Sequence, residues 1–254
     1  MGQRLSLSLR FRFFAVLGGL LIVAMIALAV ISKWLIFPAL QAEERTAVQR
    51  ELDRAERSLM LNQESLLAQA RDWANWDDSY QFLEGSNPRY TEVNFSQQMF
   101  EDMNYHLMAF FTLAGDVHFL AGLDPVTGRY QTCTAAVNRC GWMAPWVETM
   151  QSAIANQVDP ITLYIEQWPA IVAASQILRT DESGPPNGWL FKVRAMDDAW
   201  LERMADYTGL PISLNVTPYN AAKPTELTFS GDQARASQQF PALGTNEAVS
   251  LEIE

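Results

Sequence analysis

Nineteen consecutive residues, Phe13 to Ile31, carry no charge, and a run of that length reads first as a membrane helix. As a helix it is long enough to cross a hydrocarbon layer of about 30 Å. Trp34, Leu35, Ile36 and Phe37 extend it beyond the lone Lys33. Arg4, Arg10 and Arg12 precede it without an acidic residue, which assigns residues 1–12 to the cytoplasm and everything after Pro38 to the other side. A cleaved signal peptide is the rival reading, since Ala27-Leu28-Ala29 has small residues at suitable spacing. Its apolar core is normally about 7 to 15 residues, however, so a retained transmembrane helix over 13–37 is expected.

Beyond the anchor, 14 basic residues face 29 acidic ones. Such a surface repels nucleic acid and anionic lipid, and no basic cluster with interleaved aromatics offsets it, so no nucleic-acid partner is expected. Cys133 and Cys140 form a C-x6-C pair. Outside the cytoplasm this reads as a disulfide rather than a metal site, because no second ligand pair follows at zinc spacing. A staple that short stabilises by roughly 2 to 3 kcal/mol in the chain-entropy model. No cofactor motif is present, and G-x-S-x-G, H-E-x-x-H, P-loop and G-x-G-x-x-G patterns are all missing from the sequence. His106 and His118 lack further ligands at a metal or haem spacing, and no metal is expected.

From Gln41 to about Glu84 there is neither proline nor glycine, and one long helix is predicted, about 43 residues and roughly 65 Å. Leu52, Leu59, Leu66, Trp73 and Tyr80 recur every seven residues, with Val48, Ala55, Asn62, Gln69 and Trp76 between them. That is a seam with two polar steps, suited to a second helix in a homodimer or to the chain's own domain. At its end, Trp73, Trp76, Asp77 and Tyr80 share one helical face, with Asp72 at its edge and Asp78 turned away. A carboxylate among rings needs a partner. Either the stripe packs on a sheet with Asp77 satisfied locally, or part of it lines a small-molecule pocket.

The period then changes. Gly85 caps the helix, and 91–102 reads as a short helix with Thr91 as N-cap. Strands are predicted over 105–113, 117–123, 161–165, 170–179, 189–196 and 211–216, with helices over 144–156 and 197–207. Weak strands follow near 227–229 and 249–253, and the cysteine-bearing segment reads as an excursion on the rim. A long helix followed by a mostly antiparallel sheet with interposed helices defines an α+β layer fold.

Two blocks carry a resemblance. The run D-W-A-x-W-D-D-x-Y-x-F over 72–82, with Asn87-Pro88, Tyr90 and Asn94-Phe95, is followed by Ala174 to Arg179, Gly184-Pro185, Gly188 to Arg194 and Asp197. Over roughly residues 60–215 the chain resembles the fourth class of CHASE domains, extracytoplasmic sensor modules of bacterial membrane receptors. The resemblance implies a Cache/PAS-like sheet against a long N-terminal helix, and further strands and a second membrane helix after Glu254. It also implies a cytoplasmic output, most often GGDEF or EAL domains that make or degrade cyclic di-GMP, sometimes a histidine kinase. The implied organisation is a cytoplasmic N-terminus (1–12), an inner-membrane helix (13–37), a membrane-proximal helix (38–60) and a periplasmic sensor domain (61–254).

A sensory input region is therefore the expected function, with an unknown small ligand or an envelope protein as partner. Trp73, Trp76, Tyr80, Phe110 and Trp189 would form a cage for an apolar or cationic ligand, with Asp77 supplying charge. Arg194, the basic residue matched to the family, would pair with Asp77 or Asp78 across helix and sheet. The alternatives are a membrane-anchored periplasmic hydrolase using Asp72 and Asp77, or a scaffold for an envelope protein.

Overall fold

The computed structural model describes residues 9–134, 140–157, 159–166, 168–230 and 233–253. Arg4 of the N-terminal basic group lies outside them. The chain divides into two compact units, Met1–Arg50 and Glu51–Glu254, with the boundary inside a helix. The first unit holds α1 (Leu9–Ile31), a π-helical turn (Ser32–Ile36) and the start of α2 (Phe37–Ala74). Its apolar side chains, including Phe13, Leu20, Ile22, Met25 and Trp34, are exposed. Among the described residues this is the one helical stretch long and apolar enough to cross a membrane.

The second unit is an α+β domain. After α2 come α3 (Asp77–Glu84), α4 (Tyr90–Asn94) and α5 (Gln97–Met103), then strands β1 (Leu107–Thr112), β2 (Val117–Leu123) and β3 (Tyr130–Cys133). Next are α6 (Ala144–Asn156), β4 (Ile161–Ile165), β5 (Pro169–Ile177), β6 (Gly188–Ala195) and α7 (Asp198–Thr208). Last are β7 (Ile212–Pro218), β8 (Thr225–Ser230), β9 (Gln233–Pro241) and β10 (Glu247–Ile253). The central antiparallel sheet has the order β3-β2-β1-β6-β5-β4, and a smaller one the order β7-β10-β9-β8. A long helix against an antiparallel sheet is the arrangement that the resemblance implied.

Strand alternation divides the core. Met108, Phe110, Leu190, Ile171 and Ala173 face α2, while Leu107, Ala109, Phe111, Phe191, Val193 and Val172 face α6. Leu59, Leu66 and Ala70 of α2 are fully buried against the first set, and Trp146, Val147 and Met150 of α6 against the second. The heptad seam therefore packs on the chain's own domain from Leu52 onward, and a homodimer through α2 would have to use a different stripe. Gly188 allows β6 to meet β1 and α3 closely, since a Cβ there would stand 2.3 Å from Phe111 O and 2.6 Å from Leu83 Cδ1. Cys133 and Cys140 are joined as a disulfide, with Cα atoms 5.6 Å apart beside the α6 cluster.

Three local expectations change. The predicted single helix is broken at Asn75-Trp76. The short helix over 91–102 is two helices, and Ser96 rather than Thr91 caps the second by accepting from Met99 N–H (3.1 Å). The strands β3 and β9 were not foreseen.

Candidate functional site

The aromatic stripe runs into the break between α2 and α3. Trp76 is extended (φ −91°, ψ 135°), and the loop after β5 holds it so. Leu178 N–H donates to Ala74 O (3.1 Å), Thr180 N–H to Asp77 Oδ1 (3.0 Å), and Asp77 N–H to Thr180 Oγ1 (3.0 Å). Backbone groups freed at the two helix ends thus find partners in that loop. Asp77 and Asp78 occupy the first turn of α3, where carboxylates suit the helix dipole. Asp78 Oδ1 also accepts from Asn87 Nδ2 (3.3 Å). Tyr80 OH donates to Pro185 O (3.2 Å), Asn187 Nδ2 donates to Tyr80 O (2.8 Å), and the Arg179 guanidinium lies 4.3 Å from the Tyr80 ring. Asp77, Asp78 and Tyr80 therefore bind the chain's own loops.

Of the cage residues, Trp73 and Trp76 stay together, stacked at 4.9 Å and both half-buried. Phe95 meets Trp73 edge-on at 5.9 Å. Phe110 lies deeper, fully buried among Phe82, Tyr90 and Phe95. Trp189 faces the other way, toward α6, because it neighbours the α2-facing Leu190 on β6. The five-ring cage is not formed.

Nor does Arg194 meet Asp77 or Asp78. Gly188, at the start of β6, adjoins α3, whereas Arg194 is six residues further on, roughly 20 Å along a strand. Its guanidinium donates to Asn104 O (3.3 Å), Met103 O (3.3 Å) and Asn62 Oδ1 (3.5 Å).

What lies beneath Trp73 is a residue that sequence reasoning passed over. Lys192, on the same β6 face as Leu190 and Arg194, is fully buried, with Nζ 4.3 Å from the ring centroids of both Trp73 and Tyr105. Of the rings expected to cage a cationic ligand, Trp73 instead lies over the protein's own Lys192, with Tyr105 as the second ring. Lys192 Nζ donates to Tyr105 OH (3.0 Å), which donates to Gln69 Oε1 (2.5 Å), and Gln69 Nε2 donates to Ser65 Oγ (3.0 Å). Burial pulls the lysine down from its usual range to about 7, with Asp72 opposing and Arg194 adding to the shift. Burial pushes Tyr105 up to about 12.

Both polar steps of the α2 seam are now explained. Asn62 accepts from Arg194, and Gln69 accepts from the Tyr105 hydroxyl that holds Lys192. The signal was present in the sequence as a lysine and an arginine inside an apolar strand, opposite two amides seven residues apart on a helix. Elsewhere on the sheet, His106 Nδ1 accepts from Ala195 N–H (3.1 Å), which leaves Nε2–H to donate to Asp197 Oδ2 (3.1 Å). Asp197 also caps α7 through Trp200 N–H (2.8 Å).

A long helix fastened by buried polar groups to an antiparallel sheet is the α+β frame in which the site sits. The CHASE4 domain family matches residues 58–215, and the chain belongs to that family of extracytoplasmic sensor domains. The fold is shared with the extracellular domain of vpHK1S-Z8, described as a histidine kinase (TM-score 0.56, 12% identity, 84% of this chain and 94% of that one). It is shared too with a domain of a sensory box/GGDEF family protein from Vibrio parahaemolyticus (TM-score 0.53, 12% identity, 82% and 94%). In sequence the chain is similar to the methanogenesis regulatory histidine kinase FilI of Methanothrix harundinacea, 21% identical over 213 residues. That match covers 83% of this chain and 24% of the relative, so the chain spans about a quarter of the relative's length.

Proposed function

We propose that the chain is the input region of a bacterial inner-membrane receptor, with residues 13–37 in the bilayer, the N-terminus in the cytoplasm and the sensor domain in the periplasm. A small ligand or an envelope protein acts at the stacked pair Trp73 and Trp76, of which Trp73 covers Lys192, and it changes how firmly α2 is held to the sheet. The cue must favour one arrangement of α2 over another, or it shifts nothing. α2 carries the change because it is the covalent link between the sensor and the apolar segment. The output is cyclic di-GMP synthesis or degradation, with a histidine kinase as the second form, the class named for FilI and vpHK1S-Z8.

The observation that supports this reading is the buried Lys192, joined through Tyr105 to Gln69 of α2. A fully buried ammonium costs more than an apolar side chain of its size, so it is a poor choice for a helix–sheet contact that only has to be stable. The test is Lys192→Met in the full-length receptor at matched membrane levels, with cyclic di-GMP and receptor phosphorylation both measured. A changed basal cyclic di-GMP level is expected. Changed phosphorylation with unchanged cyclic di-GMP assigns a kinase output, and no change in either contradicts the role given to Lys192.

A further inference from the structure

A second feature of the same domain lies further along α2, toward the N-terminal side of Trp73 and Trp76. A groove of about 750 Å³ opens between α2, the α5–β1 corner, the end of β6 and α7. Four arginines line it: Arg54 and Arg57 from α2, Arg194 from β6 and Arg203 from α7. The lining includes one carboxylate, Asp102. Among the described residues none of the four arginines makes an ion pair, in a chain whose net charge is −11.

Two of the four are held in place at some cost. Arg194 is only 7% exposed, and its partners are neutral oxygens. Arg203 Nη2 is buried without a hydrogen-bond partner, the kind of orphan donor that a folded protein normally avoids. Burial pulls Arg194 below its usual range, and Arg203 adds to that shift as a like charge. Guanidinium groups present planar pairs of donors that match carboxylate and phosphate oxygens two at a time. Four of them line one space with Asp102 as the one carboxylate in its lining, and of the four Asp197 on the flank of α7 acts on Arg203 alone, so the groove is predominantly cationic.

We propose that this groove binds a small organic polyanion of the di- or tricarboxylate class. The volume lies in the range of small-ligand sites and far exceeds a single inorganic oxyanion. Tyr207, 74% exposed at the groove, and Leu61, 64% exposed, offer carbon surface to a ligand skeleton. The anion joins α2 to α7 and β6 through Arg54, Arg57, Arg203 and Arg194, and so tightens the same helix that Lys192 holds further along. Only that consequence rests on the sensor reading, because binding is measured apart from signalling.

The experiment follows thermal unfolding of the full chain in detergent with citrate, succinate or inorganic phosphate, against sodium chloride at equal ionic strength. At ten times its Kd, citrate or succinate raises the midpoint by about 3 to 6 °C. Arg57→Met and Arg203→Met abolish that shift, and the exposed Arg57 ensures that at least one variant keeps its fold. Four results overturn the proposal: no shift with either carboxylate, an equal shift with sodium chloride, a shift with phosphate alone, or a carboxylate shift that survives in Arg57→Met.

Discussion

The two faces of the central sheet are built on different principles. On the α6 face, Trp146, Val147, Met150, Phe111, Phe191 and Val193 pack without a charged side chain, next to the Cys133–Cys140 disulfide. On the α2 face, Leu59, Leu66 and Phe110 share their side of the sheet with the buried Lys192, which lies between Trp73 and Tyr105, and Arg194 is the next residue on that face of β6. The first face is held by area, which depends little on pH or partners. The second is held by area and by polar groups whose cost changes with protonation and with what lies beside them. In the proposed reading the α6 face stays put and the α2 face is the one whose grip the cue alters.

The largest effect is expected on the rigid face. Trp146→Ala should cost about 3 to 5 kcal/mol, lowering the thermal midpoint by roughly 10 °C, with the pH dependence of stability unchanged. A small loss, or an altered pH profile, would break the contrast between the faces. Tyr105→Phe, on the α2 face, should cost about 2 kcal/mol, because it removes the hydroxyl between Lys192 and the half-buried Gln69 and leaves the buried Lys192 donor unmatched. A neutral outcome would mean that the Lys192–Tyr105–Gln69 chain does not fasten the helix.

The contrast also governs what could be read from the sequence. The strands β1, β2, β4, β5 and β6 and the helices α6 and α7 follow apolar periodicity, and their expected limits agree with the structure to within a few residues. β9 is different: Gln233-Ala-Arg-Ala-Ser-Gln-Gln carries no apolar alternation, and the strand is held by pairing to β8 on one side and β10 on the other. The α2–α3 break left no local trace either. Asp72-Trp-Ala-Asn-Trp-Asp-Asp continues a helical pattern, and the bonds that interrupt it come from Leu178 and Thr180, a hundred residues away. Residue types at the site were legible, but their partners were not. The seam showed Asn62 and Gln69 as polar steps, yet only the fold sets them against Arg194 and, through Tyr105, Lys192.

The central claim is that α2 is gripped by a buried lysine poised near neutrality. Lysine at about 10.5 in the unfolded chain and about 7 in the folded one means that the unfolded state binds more protons between those values, so stability rises with pH through that window. Unfolding free energy of the full chain, followed from pH 6 to pH 9 beside Lys192→Met, tests this directly. The native protein should gain about 2 to 3 kcal/mol over that range relative to the variant. Parallel pH profiles for the two would contradict the account.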